Sequence, residues 1–382
     1  MAFVVRFFKS ALLFFRDADM VLLVCSIVSV LYGIILINSI TGNAGNIVYV
    51  QVGAMVIGLV LFVLFSYIDI DIIADKSRLL FLFSIALIAT LLIWGVGEEV
   101  DRRAWLRFLN IGIQPAEIVK IPFIIIIAQM VARFKEYRTF NSFMSILQIT
   151  IVFAVIFGSV LIISQDIGTA LVYFGIFAIM LFAAGMKLRW FAIGAALITI
   201  ASPLLFENFL NQKQRNRILA PFQQDVIDPT RQFELWQTDR SIEAIATGGF
   251  RGQGLGNGRL TQASGGIPAQ HTDFVISAAG EELGFLGCML IIALLVVIIS
   301  RCVYVGIKSN NPLGMLVCMG VAGMLIVQTI MNIGMALGLL PVIGITLPFF
   351  SYGGSSIVTC LAAMGIVSGI KMRPKPVRFR NL

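Results

Sequence analysis

The chain has 382 residues, of which 59% are hydrophobic and 13% are charged, and its formal net charge is +8. A soluble globular domain carries about 25% charged residues, so this composition excludes an ordinary soluble fold and favours a protein embedded in lipid. The basic residues cluster in short gaps between apolar runs, which argues against a nucleic-acid-binding protein. The five cysteines form no C-x-x-C pair, and the single His271 cannot build a histidine-rich metal site.

Ten apolar runs are long enough to cross a bilayer, since a spanning helix needs roughly 20 residues. The sequence therefore predicts an all-α, polytopic integral membrane protein with about ten transmembrane helices, organised as one domain over residues 1–382. A long polar loop, residues 208–273, separates the seventh and eighth spans. The predicted spans are 20–40, 46–68, 79–97, 115–132, 144–164, 167–184, 188–207, 274–300, 312–338 and 344–370.

The distribution of charge predicts the orientation in the membrane. With a cytoplasmic N-terminus, the short outer loops carry only Arg102, Arg103 and Arg107, and the inner segments carry many more Lys and Arg residues. Positive charge favours the inner side, so both termini are predicted in the cytoplasm and the 208–273 loop outside, where its length exempts it from the rule. The basic tail, residues 371–382, is expected to lie against anionic inner-leaflet lipid.

The first polar motif spans residues 103–120, at the outer end of the fourth span. Pro115 suits the first turn of a helix, so Gln114, Glu117 and Lys120 are predicted on roughly one face. Glu117 and Lys120 either neutralise each other at i,i+3 spacing or form the polar wall of a cavity that opens outward. Both interpretations remain open.

The outer loop contains a predicted helix over 231–247 and a glycine series over 248–258. The series does not fit G-x-G-x-x-G, and no G-K-[ST] follows it, which argues against nucleotide binding. A tight loop with several positive-φ positions is the favoured interpretation.

The second polar motif, residues 270–274, lies at the outer mouth of the eighth span. An ionisable residue at membrane depth marks a functional site by default, but aspartate is also a favoured helix N-cap. For Asp273 the two roles are open and compatible. Glu281 and Glu282 lie deeper on the same helix, where an interhelical hydrogen bond or salt bridge is the favoured interpretation.

The third polar motif, residues 332–356, covers the end of the ninth predicted span and the start of the tenth. Two prolines and several glycines interrupt the helical pattern there. Non-helical backbone at membrane depth survives only where protein or a wet cavity covers it. The pattern therefore predicts a re-entrant or broken element that lines a site.

Together these motifs resemble the SEDS family (shape, elongation, division and sporulation), which includes RodA and FtsW. The resemblance covers essentially the whole chain and rests on residues 114–120, 271–274, 281–284 and 332–356. The family usually has Gln-Pro-Asp where this chain has Ser164, Gln165 and Asp166, so the proline that kinks the family's chain is absent here. In addition, Arg240 replaces a common glutamine, and residues 212–233 diverge.

The resemblance implies a peptidoglycan glycosyltransferase that polymerises lipid II, an undecaprenyl-pyrophosphate-linked disaccharide peptide, on the outer side of the cytoplasmic membrane. The implied partners are a class B penicillin-binding protein (a transpeptidase like penicillin-binding protein 2) and other elongation-complex membrane proteins. The essential aspartate of the family matches Asp273, and its polar cavity pair matches Glu117 and Lys120. Further expected cavity residues are Arg103, Gln114, Asp166, Arg217, His271, Thr272 and Ser351. The expected role is RodA-like, in elongation and cell shape, with an FtsW-like division polymerase as the alternative.

In the implied reaction a sugar 4-hydroxyl of one lipid II attacks C1 of another, and polyprenyl pyrophosphate leaves with inversion at C1. The hydroxyl needs a general base, for which Asp273 is the best-placed carboxylate. The leaving group needs positive charge, from Lys120, Arg103 and the loop arginines or from a divalent cation such as Mg²⁺ or Mn²⁺. Two other functions stay open: a lipid II flippase, which buried charges would serve equally well, and a scaffold that only recruits an enzyme.

Overall fold

The computed structural model describes residues 14, 16–42, 45–97, 103–108, 111–209, 212–231, 235–263 and 266–373. Within these residues, nine helices are long and apolar enough to cross a membrane, and a tenth apolar helix, Ile167–Ala183, has 17 residues. About 17 residues is the lower limit for a span, so these ten helices match the ten predicted runs and confirm the all-α, polytopic fold. The predictions for Arg102 and for the tail beyond residue 373 lie outside the described residues.

The helices are numbered in chain order, and a π-helical segment, Val160–Ser164, extends α7. The third span is built from α4 and α5 together. The bounds are α1 Met20–Ile40, α2 Gly45–Tyr67, α3 Ile70–Asp75, α4 Ser77–Ala89, α5 Leu91–Trp94, α6 Pro115–Glu136, α7 Phe143–Ser159, α8 Ile167–Ala183, α9 Leu188–Phe209, α10 Gln212–Leu219, α11 Gln224–Ile227, α12 Trp236–Gly248, α13 Val275–Lys308, α14 Pro312–Ala336 and α15 Gly354–Met372.

A small antiparallel sheet, which the sequence analysis did not predict, lies between α5 and α6. Its strands are β1 Gly95–Val96, β2 Trp105–Phe108 and β3 Ile111–Ile113, in the order β1-β2-β3. The predicted third run over 79–97 therefore ends in a strand. The sheet leads directly into Pro115, the predicted first residue of α6.

The helices α6, α14 and α15 form the interior of the bundle, with 72%, 67% and 83% of their spanning windows buried. Small residues let α2 and α15 approach closely, as is common between membrane helices. A Cβ added at Gly365 would lie 2.4 Å from the carbonyl oxygen of Phe62, and one at Gly58 would lie 2.5 Å from a methyl group of Leu361. The middle of α15 thereby packs directly against α2.

The last predicted span is shorter than expected, because α15 begins at Gly354 and not near residue 344. Residues 344–353, called here the irregular segment, contain no regular helix. The left-handed φ values of 72° at Gly344 and 70° at Phe349 are incompatible with right-handed helical backbone. The predicted broken element before the tenth span is therefore present.

The glycine series of the outer loop docks against a break in α13. Gly284 has φ 69° and ψ −163°, so two helical pieces meet there. The N–H of Gln253 donates to the carbonyl of Glu281 (2.9 Å), and that of Phe285 donates to the carbonyl of Gly249 (2.9 Å). A Cβ added at Gly252 would lie 2.3 Å from the carbonyl oxygen of Glu282. The glycines thus serve a tight loop, as predicted.

Candidate active site

A cavity of about 520 Å³ lies where the C-terminal part of α14 meets the first residues of α6, α8 and α15. Its wall also includes β2, β3, the turn before α13 and the irregular segment. The structure therefore brings the three polar motifs together. The polar side chains of the described wall are Arg107, Gln114, Glu117, Asp166, Thr169, His271, Thr272, Asp273, Gln328, Thr346 and Tyr352.

Asp273 is half-buried in the turn before α13 and belongs to the cavity wall. Its backbone N–H donates to the carbonyl of Ala269 (2.9 Å), and its own carbonyl accepts from Nδ2 of Asn332 (2.8 Å). The N-cap of α13 is Phe274. The N-cap interpretation of Asp273 is therefore wrong, and Asp273 is placed at the cavity by the turn.

Two contacts join this turn to the irregular segment. The fully buried Asn332 also donates from Nδ2 to the carbonyl of Ile345 (2.7 Å). On the other side, the N–H of Tyr352 donates to the carbonyl of His271 (2.7 Å), and the two rings meet edge to face at 5.7 Å. The backbone around Asp273 is consequently held from both sides.

Glu117 and Lys120 form the predicted i,i+3 ion pair, with Nζ of Lys120 donating to Oε1 of Glu117 at 2.5 Å. Lys120 is 1% exposed and is not part of the cavity wall, whereas Glu117 is. Both interpretations of the pair therefore hold for Glu117. Lys120 acts behind the wall, where it neutralises that carboxylate.

Asp166 links the first turns of three helices. As the N-cap of α8 it accepts from the N–H of Thr169 at Oδ1 (3.0 Å), and its Oδ2 accepts from Oγ1 of Thr169 (2.8 Å) and Nε2 of Gln114 (2.9 Å). The N–H of Gln114 donates to Oγ of Ser355 in α15 (3.0 Å). Both Asp166 oxygens are therefore hydrogen-bonded.

The backbone reaches Asp166 without the proline of the family pattern. The π-helical segment ends at Ser164, and Gln165 then adopts a left-handed conformation with φ 53°. A proline cannot adopt that angle, because its ring holds φ near −65°. The bend is present, but it follows a different backbone path from a proline kink.

Four predicted site residues do not line the described cavity wall: Arg103, Lys120, Arg217 and Ser351. Arg103 is exposed just before β2, and Arg217 lies in the last turn of α10. Ser351 is buried, and its Oγ accepts from the N–H of Leu347 (2.8 Å). Ser351 therefore shapes the irregular segment from within.

Trp105, Arg107 and Gln328 also line the wall, although they were not among the predicted site residues. Trp105 and Arg107 lie two residues apart on β2, so they share a face, while Leu106 between them is buried. A strand this short gives little periodic signal. Gln328 did carry a periodic signal, because it lies four residues before Asn332 on the same face of α14.

The described wall is richer in acidic than in basic groups. Arg107 is its one Lys or Arg side chain, against the carboxylates of Glu117, Asp166 and Asp273. The expected cationic clamp of Lys120 and Arg103 is not formed there. Within the described residues, no three His, Cys, Asp or Glu side chains are grouped to hold a metal ion, and the divalent cation stays a prediction.

The interhelical hydrogen bond predicted for the deeper glutamates is confirmed for Glu282 and wrong for Glu281, whose partners lie in the outer loop. Glu281 accepts from the backbone N–H groups of Leu260 and Thr261, both at 2.7 Å. Glu282 accepts from Oγ of Ser39 in α1 (2.6 Å) and from Oγ1 of Thr261 (3.1 Å). The partners lie mostly in the outer loop, so the two carboxylates fasten that loop to α13.

The chain is similar in sequence to two proteins named as peptidoglycan glycosyltransferases. A probable peptidoglycan glycosyltransferase FtsW from Geobacter metallireducens is 34% identical over 288 residues, which cover 74% of this chain and 72% of the relative. The peptidoglycan glycosyltransferase MrdB from Escherichia coli is 28% identical over 365 residues, which cover 94% of both chains.

Solved structures share the fold. A chain from "Structural coordination of polymerization and crosslinking by a peptidoglycan synthase complex" is 26% identical with a TM-score of 0.79, over 93% of this chain and 98% of that one. The rod shape determining protein RodA from Thermus thermophilus is 24% identical, with a TM-score of 0.67 over 93% and 97% of the two chains, which is a likeness of fold alone. The model of the FtsW, RodA and SpoVE family, described as cell cycle protein, matches residues 12–375. This chain therefore belongs to the FtsW/RodA/SpoVE family.

Proposed function

We propose that this chain is a peptidoglycan glycosyltransferase that polymerises lipid II, with Asp273 as general base. The observation that carries the proposal is a half-buried carboxylate on a polar cavity, held by backbone contacts on both sides. Family membership and the glycosyltransferase names of the relatives from Geobacter metallireducens and Escherichia coli support it. The wall offers hydrogen-bonding groups suited to a polar, lipid-linked substrate.

The cavity faces outward in this proposal. It lies at the first residues of α13 and α15, whereas Lys308 and Lys371 lie at the last turns of the same helices. Basic residues favour the cytoplasmic side, so the opposite end faces the exterior. Both termini are then cytoplasmic, and the protein spans the cytoplasmic membrane.

The reaction needs a single displacement at an anomeric carbon. Asp273 takes the proton of the attacking 4-hydroxyl, the hydroxyl oxygen bonds to C1, and the C1–O bond breaks with its electron pair going to the pyrophosphate. The leaving group departs as an anion and needs no strong general acid. Arg107 is the described wall residue suited to stabilise its charge.

Purified protein incubated with lipid II tests the proposal through the length of the glycan products. Wild-type protein should yield glycan ladders, and Asp273→Asn should abolish them without loss of folded protein. Asp239→Asn is the matched control, because Asp239 lies in the same outer loop, pairs with Arg231 and is not part of the cavity wall. Ladders at wild-type rate from Asp273→Asn would exclude the base role, and a protein that moves lipid II across vesicles without polymer would be a flippase.

The proposed partner is a class B penicillin-binding protein that cross-links the product. A peptidoglycan synthase complex that coordinates polymerization and crosslinking contains a chain of this fold. Relatives carry both FtsW and MrdB names, and a role in elongation is proposed with division as the alternative. Ladders measured with and without purified class B proteins from each process would separate the two.

A further inference from the structure

Buried carboxylates in the described chain fall into two groups. In the larger group both oxygens accept hydrogen bonds, and its members are Asp19, Asp166, Asp228, Glu281 and Glu282. Glu117 differs, because Lys120 donates to Oε1 while Oε2 is buried without a hydrogen-bond partner among the described residues. Buried polar groups are normally satisfied, so a spare acceptor on a cavity wall points to a ligand group.

Gln328 presents a second spare acceptor on the same wall. It is 1% exposed, and its Oε1 has no hydrogen-bond partner within the described part of the chain. It lies four residues before Asn332, which holds the backbone of Asp273, and so about 6 Å deeper along the axis of α14. Gln328 therefore belongs to the deeper part of the cavity, and Glu117, in the first turn of α6, lines the same wall.

The chemistry of this region selects the ligand group. Gln328 Oε1 and Glu117 Oε2 both require hydrogen-bond donors, such as sugar hydroxyls or amide N–H groups. A pyrophosphate is anionic and offers acceptors, and the carboxylate of Asp166, which has no cationic partner among the described residues, would repel it. Arg107, on the β2 side of the cavity, suits the pyrophosphate instead.

We propose that Gln328 and the free oxygen of Glu117 form a saccharide subsite, which binds hydroxyl and amide donors of the lipid II disaccharide in the cavity that Asp273 also lines. This inference rests on the proposed function for the identity of the ligand. It adds Gln328 as a substrate-binding residue and assigns the pyrophosphate to the Arg107 side.

Equilibrium binding tests the subsite separately from turnover, with lipid II and undecaprenyl pyrophosphate as the two probes. Gln328→Leu should raise the Kd for lipid II roughly ten-fold, the loss expected for a buried hydrogen bond, and change the Kd for undecaprenyl pyrophosphate less than two-fold. Arg107→Gln should raise the Kd of both probes. Thr329→Val is the matched control, because the Thr329 hydroxyl also lacks a partner in the described chain but does not line the cavity.

If Gln328→Leu weakened the binding of both probes equally, or left lipid II binding unchanged, the proposed subsite would be wrong. Melting temperatures identify folded variants, and Gln328→Met replaces Gln328→Leu if the latter does not fold. Failure of the proposed function is visible independently, because wild-type protein would then bind lipid II without forming glycan ladders.

Discussion

Two pairs of buried polar residues near the cavity end of the bundle differ in one respect. In the loop-docking pair, Glu281 and Glu282, every carboxylate oxygen accepts a hydrogen bond from the protein. In the cavity-wall pair, Glu117 and Gln328, one oxygen of each side chain is buried without a partner in the described chain. All four are less than 9% exposed, so burial does not separate the pairs.

This contrast separates structural from ligand-facing polar groups in a membrane protein. Burying a charge costs free energy wherever it occurs. A carboxylate of which both oxygens accept hydrogen bonds from the protein offsets that cost through those contacts. A cavity-wall group with an unpaired oxygen offsets the cost of its burial only when a ligand or a water molecule donates a hydrogen bond to that oxygen. The loop-docking pair is therefore expected to control stability, and the cavity-wall pair to control substrate affinity.

The largest expected effect comes from breaking the ion pair behind the cavity wall. Lys120→Met leaves the Glu117 carboxylate buried and unpaired, which should cost about 3–5 kcal/mol of stability. Adding Glu117→Gln should restore most of that stability, because no lone charge then remains. Thermal unfolding in detergent measures both, and equal stability of the single and double variants would show that the pair is not coupled.

Glu281→Gln is expected to be next in size. It replaces an acceptor of two backbone hydrogen bonds from the outer loop, at a cost of about 1–3 kcal/mol. Lipid II affinity of the folded fraction should stay near that of wild type, in contrast to Gln328→Leu. Unfolding midpoints and Kd values measured on the same preparations show whether stability or affinity changes. A loss of lipid II affinity without a loss of stability would contradict the distinction between the two pairs.

Gly284→Ala tests the docking of the loop from the backbone side. The residue has φ 69°, and a Cβ there would lie 2.3 Å from the N of Gly252, so we expect a loss of about 1–3 kcal/mol. Gly53→Ala in α2 is the control, since nothing lies within 4 Å of its added Cβ. Faster proteolysis of the outer loop in Gly284→Ala alone would support the expectation, and equal cleavage of the two variants would contradict it.

The smallest expected effect is a gain in stability. Gln165 is left-handed and exposed, so Gln165→Gly should relieve strain and stabilise the protein by roughly 0.5–1 kcal/mol. Gln165→Pro should destabilise it, because proline cannot adopt φ 53°. Unfolding midpoints of the two variants test the sign, and a stabilising Gln165→Pro would show that the family's proline path is also open to this chain.

Much of the candidate site could be predicted from residue types and spacing. Glu117 and Lys120 sit at i,i+3 on one helix, and their pairing follows from helical geometry. The position of Asp273 at the cavity also follows from the order of the spans. The absence of Lys120 from the wall could not be predicted, because it depends on which face of α6 the neighbouring helices cover. Arg107 was missed because a four-residue strand carries almost no periodic signal.

The number of spans and the broken element before the last helix could be predicted from the sequence, because apolar run length and the backbone preferences of proline and glycine are local properties. Which buried polar groups have all of their hydrogen bonds depends instead on how distant segments pack. Hydrogen bonds such as Glu281 to the loop join residues about 20 positions apart, and Asn332 joins two segments that no local pattern relates. Whether an oxygen such as Glu117 Oε2 is left for a ligand depends on that packing.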